Sequence, residues 1–427
     1  MDWMDDRADR YVCGLDVGTT KVCAVVAEVD VVGDLCIAAL GSVPAAGIER
    51  GVVVDLEMAT GGIREAVRLA QEAAGVPIYS VYLGITGGHI SCVNVRGRAY
   101  VSGPQVSPSD IEEAISSARD SVPLSSDRRI LQHTVREFVL DGERGIRRPL
   151  GMVGRQLDVD LHVVTGRGSI VDNLVAATEA AGLSVVATAL EAQATALAVL
   201  TEAEQKLGCI LLDIGGGTTD LAVFTSGAIC YTAAIPVAGN HVTMDIAKVL
   251  RVAPEEAERI KLAYGHAVPD EIDEEEVIEA AVVGTEERQE VPRRLLAEII
   301  QARMQEIFEA VAERMTAEQL WSLAPAGVVL SGGGSELAGT ARLATTILRD
   351  LPARVGAPRG VKGQSELVAE PMYATAVGLA RMAAADGAWC TVRPGRALRQ
   401  VASLRQAFSR LTQRALEIWH HFRAQRR

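Results

Sequence analysis

Two stretches of this chain are written to one pattern, and together they constrain the fold more than anything else in it. In residues 209–225, CILLDIGGGTTDLAVFT, an apolar, β-prone run ends in Asp213, three glycines and two threonines follow, and the chain turns apolar again through Leu221 to Phe224. Residues 12–27, VCGLDVGTTKVCAVVA, repeat the order: apolar run, Asp16, Gly18, Thr19, Thr20, polar Lys21, apolar run. Each reads as a strand, a tight turn and a second strand. The two aspartates are 213 − 16 = 197 residues apart, too far for a solenoid period, so one motif serves once in each half of the chain.

Glycines at 215, 216 and 217 let a turn adopt positive φ and bring backbone N–H groups close to a ligand, while Thr218 and Thr219 add hydroxyls. Such a turn suits phosphate oxygens, and Asp213 at the strand end suits a hydrated Mg²⁺ beside them, because Mg²⁺ keeps most of its waters. Taken singly, the stretch also fits a glycine-rich hairpin with no ligand. A third glycine turn, LSGGGSEL at Leu330 to Leu337, follows an apolar strand and is expected to open a helix over 336–350. Two acidic hairpins and a late glycine turn make a cleft for a Mg-nucleotide between two similar lobes.

The 427 residues are enough for about three domains. At 48% hydrophobic and 23% charged, they belong to a cored protein rather than a disordered one. Seven cysteines form no CxxC pair, which points to a reducing compartment and away from disulfides or zinc. The opening MDWMDDRADR is too acidic for a signal peptide. No apolar run reaches the length a spanning helix needs. Charge is uneven: residues 393–427 hold nine arginines and one acid, 9 − 1 = +8, so the chain total of −13 leaves −21 for residues 1–392. So acidic a body is not a nucleic-acid binder.

In chain order, residues 10–55 read as strands, 56–74 as a helix stopped by Gly75, and 81–85 as a strand. From Thr86 to Val164 many short strands surround one helix, expected to open with a capping box of Ser109 and Glu112. This is an inserted α+β subdomain, either decorating the first lobe or binding something. Helix 169–181 and a strand then lead to Glu191, a carboxylate that either orients a water towards a γ-phosphate or favours the positive end of its own helix. Two helices follow in 239–264, the second carrying Glu258 and Lys261 on one face, as a ribose contact or a solvated ion pair. An acidic, weakly patterned stretch (270–279), a helix over 295–315 and a closing helix over 371–385 complete the globular part.

The hairpins and the glycine turn resemble those of the actin, chaperone and sugar-kinase superfamily. Within it, GLDVGTTK, VYLGITGGHISCVN, LTEAEQKLGCILLDIGGGTTDLAVF, IPVAGNHVTMDIA, APEEAERIKLAYG, GVVLSGGGSELAG and EPMYATAVGLARM resemble the bacterial cell-division FtsA family from about Tyr11 to the end. The resemblance implies an α/β, actin-like (ribonuclease H-like) two-lobed fold with an inserted α+β subdomain and a C-terminal amphipathic helix. It implies a first lobe (1A) of 1–85, 165–200 and the closing helix 366–386; an insertion (1C) of 86–164; a second lobe (2A) of 201–227 and 300–365; an outer subdomain (2B) of 228–299; a linker of 387–399; and a membrane-targeting helix of 400–427. By the same resemblance Asp16 and Asp213 attend Mg²⁺. Gly18, Thr19, Thr20 and Lys21, with Gly215, Gly216, Gly217, Thr218 and Thr219, attend the phosphates of ATP. Glu258 and Lys261 attend the ribose, and Gly332, Gly333 and Gly334 the adenosine. Glu191 aligns with the catalytic glutamate of the related chaperones, although the proline that usually follows is Ala192 here. The implied role is an ATP-binding protein that polymerises, holds the C-terminal tail of FtsZ through 2B, recruits later division proteins and sits on the cytoplasmic face of the membrane at the division site. A small-molecule kinase of the same superfamily and the pilus-assembly relative PilM are the competing readings.

The tail separates them. At 100° per residue, Val401, Leu404, Phe408, Leu411, Ala415, Ile418, Trp419 and Phe422 share one face of a helix, while Arg405, Arg410 and Arg414 lie on the rest. Arginines interrupt the run too often for it to span, so it suits the surface of an anionic membrane; docking back on the acidic body is the alternative. A kinase or a PilM-like protein has no use for it.

Overall fold

The computed structural model describes residues 10–284 and 287–392. The expected amphipathic helix of 400–427 and the linker from residue 393 on lie outside the described residues.

The first repeat is the hairpin of β1 (Tyr11–Val17) and β2 (Lys21–Val29), antiparallel in register from Tyr11 opposite Glu28 to Val17 opposite Val22. β3 (Leu35–Pro44), a small hairpin of β4 (Ile48–Glu49) and β5 (Val52–Val53), helix α1 (Leu56–Ala74) and β6 (Ser80–Ile85) follow. α1 forms where its apolar spacing predicts. Asp55 caps its start by accepting the Met58 N–H, and Gly75, at φ 69°, closes its end. β6 lies parallel to β1, which buries both faces of this strand pair.

The insertion comprises β7 (Ser91–Tyr100), α2 (Pro108–Asp120), β8 (Arg128–Leu140), β9 (Glu143–Ile146) and β10 (Gln156–Arg167), with α2 packed on a four-stranded sheet ordered β7-β10-β8-β9. The sheet and helix share a core of their own around Ile111, Ile115, Leu157 and Leu161. The capping box is two residues earlier than expected. Ser107 and Asp110 exchange the two hydrogen bonds, because Pro108 fixes the first helical φ and leaves Ser107 extended at the cap.

α3 (Gly168–Ala180), β11 (Ser184–Leu190) and α4 (Glu191–Val199) finish the first lobe; α5 (Glu202–Leu207) leads into the second repeat. There β12 (Cys209–Ile214) and β13 (Thr219–Thr225) pair antiparallel, and β14 (Ala228–Ile235) joins β13. Helices α6 (Gly239–Leu250) and α7 (Pro254–Tyr264), hairpin β15 (Val277–Ala281) and β16 (Arg288–Pro292), and α8 (Arg293–Ala317) follow. The acidic stretch therefore runs into a strand, whose short alternation of exposed Val277 and Glu279 with buried Ile278 and Ala280 its charge conceals. β17 (Val328–Ser331) precedes the third glycine turn. The expected long helix is broken there: a 3-10 turn covers Gly333–Glu336, Gly339 takes φ 79°, and α9 begins only at Thr340 (Thr340–Ile347). β18 (Ala353–Val355), β19 (Lys362–Gly363) and α10 (Ala374–Asp386) end the described chain.

The repeat seen in the sequence is a repeat of whole sheets. One is ordered β11-β6-β1-β2-β3, with β19 added at its edge, and the other β18-β17-β12-β13-β14. α4 and α10 share one apolar core with both sheets. Their alanine-rich sequences allow this. A Cβ on Gly378 of α10 would fall 1.8 Å from the Ala194 carbonyl of α4, and one on Gly14 of β1 would fall 2.2 Å from the Ala376 carbonyl. Nothing larger than glycine fits at either crossing.

Candidate nucleotide site

The two hairpin turns meet. A Cβ on Gly216 would lie 2.3 Å from the Thr20 methyl, and one on Gly217 would lie 2.4 Å from the Thr19 hydroxyl. Gly216 and Gly217 are thus required for closeness. None of the three turn glycines takes the left-handed φ expected from the sequence, since the antiparallel turn closes with Gly215 N–H donating to Thr218 O at 3.0 Å, as Gly18 N–H does to Lys21 O at 3.0 Å. Among the described residues, no hydrogen bond to the N–H groups of Thr19, Thr20, Gly216 or Gly217 comes from within the chain. Opposed turns with free donors are a seat for anionic oxygens.

Behind the turns the charge is negative. Asp16 accepts from Lys21 Nζ at 2.8 Å, within its own hairpin. Burial draws Lys21 towards the neutral form, but the Asp16 carboxylate outweighs it and holds the ammonium. Among the described residues Asp213 has no ion pair, although the Lys21 charge also favours its ionised form. Its Oδ2 accepts from Thr195 of α4 at 2.6 Å and from Thr375 at the start of α10 at 3.0 Å. Burial raises its carboxyl above the usual range; the Thr195 hydrogen bond opposes that rise and the charge of Asp16 adds to it. Asp220 stands across the ladder from Asp213 and accepts from the Thr86 hydroxyl at 2.7 Å. Its carboxyl is pushed up to about 7, by burial first, against the Thr86 hydrogen bond, with repulsion from Asp213. Glu191 is raised too, by burial first and then by Asp16, Asp220 and Asp213, and its side chain lies against Gly84, where a Cβ would come within 3.0 Å of its Oε1.

Buried carboxyls that repel one another call for a cation. Among the described residues, no three Asp, Glu, His or Cys side chains converge tightly enough to cage a bare ion. A hydrated Mg²⁺ asks for only one or two carboxylates, and Asp213, with Asp16 near it, meets that requirement.

The remaining expected residues flank the second turn. Gly332, at φ 76°, leaves room for Asp213, where a Cβ would lie 2.3 Å from its Oδ1; Gly334 does the same for Ile214 at 2.4 Å; Gly333 faces Met372 more openly. The start of α6 is sewn to the turn by Gly239 N–H to Gly215 O at 3.0 Å and Asn240 N–H to Gly216 O at 2.8 Å. Lys261 of α7 is buried, bonds Thr243 of α6 at 2.9 Å and pairs with Glu258 at 2.6 Å. Glu258 and Lys261 are therefore an ion pair braced against α6, with Lys261 buried and Glu258 open to solvent. Glu191 heads α4 as expected.

Sequence reading missed Asp220; in the ladders it stands opposite Asp213 as Cys23 stands opposite Asp16, so Thr218 takes the place of Lys21 and Asp220 that of Cys23. Thr86, Thr195 and Thr375 carried no signal, being brought to their aspartates from 134, 18 and 162 residues away.

Comparison with known proteins agrees with this architecture. The family model described as cell division protein FtsA matches residues 210–378, and that of the SHS2 domain inserted in FtsA matches residues 87–165. FtsA of Pseudomonas aeruginosa is 40% identical over 373 residues, 87% of this chain and 89% of that protein. FtsA of Escherichia coli K12 is 36% identical over 377 residues, again 87% and 89%. Among solved structures, the PilM–PilN type IV pilus biogenesis complex matches with a TM-score of 0.62 at 19% identity, covering 88% of this chain and 98% of that one. MreB5 of Spiroplasma citri bound to ADP matches with a TM-score of 0.50 at 18% identity, covering 86% and 94%. These structures share the actin-like fold, and the curated relatives narrow it: this chain belongs to the FtsA family of bacterial cell division proteins.

Proposed function

We propose that this actin-like cell division protein binds Mg-ATP between its two hairpin turns, assembles head to tail with ATP bound, and ties the C-terminal tail of FtsZ to the cytoplasmic face of the membrane. The observation that carries the nucleotide reading is the contact of the Thr19–Thr20 turn with Gly216–Gly217 above the buried carboxyls of Asp16 and Asp213. The fold it shares with an MreB bound to ADP supports it. Mg²⁺, when bound, would supply positive charge beside the phosphates. Asp213 and Asp16 would hold it through its waters; Gly18 to Lys21 and Gly215 to Thr219 would bind the phosphates. Glu258 and Lys261 lie on the ribose side, and Gly332 to Gly334 beside the adenosine. Glu191, at the head of α4, would in its ionised form orient a water for slow hydrolysis.

The outer subdomain of about 228–299 holds the FtsZ tail, and the region 239–314 and the insertion of 86–164 meet between neighbours in a filament, a heterologous contact that continues indefinitely. The anchor is the stretch 400–424, with Leu404, Phe408, Leu411, Ile418, Trp419 and Phe422 in the lipid surface and Arg405, Arg410 and Arg414 on anionic headgroups. Arginines near such a surface contribute about 1 kcal/mol each, and burying the apolar face adds several more. Later division proteins are recruited to the assembled polymer.

Vesicle flotation with an FtsZ tail peptide tests the tether. The full chain carries the peptide up with anionic vesicles, less so at high salt, while truncation after Arg396 leaves both behind and Trp419→Glu reduces flotation sharply. A truncated chain that floats as well as the full one removes the tail as the anchor.

A further inference from the structure

The insertion is joined covalently to the first lobe alone, yet it touches both. On the first lobe, Gln132 of β8 accepts the Leu190 N–H at 2.9 Å and donates to Gln193 of α4. Leu190 and Gln193 bracket Glu191, so the head of the helix that carries Glu191 is held from the insertion. On the second lobe, Asn94 of β7 donates to the Cys230 carbonyl of β14 at 2.9 Å, and His162 of β10 meets the Thr232 hydroxyl at 3.2 Å. Arg147, in the loop after β9, adds a bond to the Ser226 carbonyl at 3.0 Å.

The second anchor is fully satisfied in one protonation state. Asn94 uses its amide N–H on Cys230, so its oxygen faces His162 Nδ1 at 2.9 Å, which must therefore carry the ring proton. Nε2 is then free to accept from Thr232. Burial holds the ring neutral, with its pKa lowered to about 3. Asn94 stands exposed at the edge, but His162 and Thr232 are buried, and a buried, paired polar contact such as theirs is specific to one placement of the two surfaces.

That placement bears on the cleft from both sides. β14 pairs with β13 so that Ile235 and Ala234 stand opposite Thr219 and Asp220, and the chain beyond β14 enters α6, which is bonded to the glycine turn. Any opening of the cleft that moves β14 away from β11 and α4 must break the Asn94–His162 anchor or drag Gln132 with it, because the insertion between them is one cored sheet. We infer that the insertion is a latch across the two lobes, whose anchors, Gln132 on one and Asn94 with His162 on the other, hold the closed cleft and so raise its affinity for ligand. The inference deepens the nucleotide reading and rests on it only in its second arm.

The first arm needs no ligand. Amide hydrogen exchange of the full chain is compared with that of Asn94→Ala and of Arg147→Ala, the latter an exposed change that spares the fold. Cutting the second-lobe anchor should speed exchange of the Leu190 to Ala196 amides on the opposite lobe by tenfold or so for Asn94→Ala and less for Arg147→Ala. Unchanged exchange there, while β14 itself opens in both variants, overturns the latch. In the second arm ATP with Mg²⁺ is titrated into the same proteins. By linkage Asn94→Ala should weaken binding about fivefold; equal affinity in parent and variants overturns the latch, whereas a parent that binds no ATP fails the nucleotide reading and leaves the exchange result to decide the latch.

Discussion

The two hairpins share a scaffold and differ in how they neutralise it. The first carries its own cation: Lys21, directly after the turn threonines, bonds Asp16. The second has Thr218 in that place and Asp220 where the first has Cys23, and among the described residues the hydrogen bonds to the Asp213 carboxylate come from the hydroxyls of Thr195 and Thr375. One turn is balanced within itself; the other accumulates charge, which burial and mutual repulsion push towards the protonated forms. A duplicated motif has thus diverged into a half that carries its own cation and a half that calls for a metal ion, and the difference lies at two ladder positions, Lys21 against Thr218 and Cys23 against Asp220.

The largest effect should come from breaking the balanced half. Lys21→Ala leaves Asp16 buried without its cation, and removing one partner of a buried pair typically costs about 3 kcal/mol or more. Urea unfolding checks this; a loss near zero would show that Asp16 needs no partner. In the unbalanced half the sign reverses. Asp220 has a folded pKa of about 7, against about 3.9 when unfolded. Between those values the folded chain keeps a proton that the unfolded chain releases, so its contribution falls as pH rises through that window. In metal-free protein Asp220→Asn should therefore stabilise by up to about 4 kcal/mol near pH 8 and by nothing near pH 4. A variant that destabilises equally at both pH values would contradict the repulsion. The smallest effect concerns turnover: Glu191→Gln should slow ATP hydrolysis about tenfold with affinity nearly unchanged, equivalent to about 1.4 kcal/mol. A variant as fast as the parent would make Glu191 a helix-end residue only.

Much of this was legible because it is local. The hairpins, α1 with its Asp55 cap and Gly75 stop, and the change of pattern at Thr86 are written in contiguous residues. What was hidden is non-local. The turn glycines looked like sites of unusual φ, but their reason is the facing Thr19 and Thr20, nearly two hundred residues away. Gly339 breaks the helix after the third turn because its backbone packs against His266, which a helical pattern cannot report. The threonines that hold Asp213 and Asp220, and the docking of the insertion on β14, follow from the closing of two sheets around α4 and α10.

The central claim is that Mg-ATP is clasped between the hairpins with the metal on the uncompensated side. Isothermal titration of ATP into the full chain, with Mg²⁺ or with EDTA, tests it most directly when repeated on Asp213→Asn and Asp16→Asn. The account predicts Mg-dependent binding by the parent, weakened about tenfold or more in Asp213→Asn, the range expected when a group holding a metal site is lost, and weakened less in Asp16→Asn. Unchanged ATP affinity in both variants would contradict it.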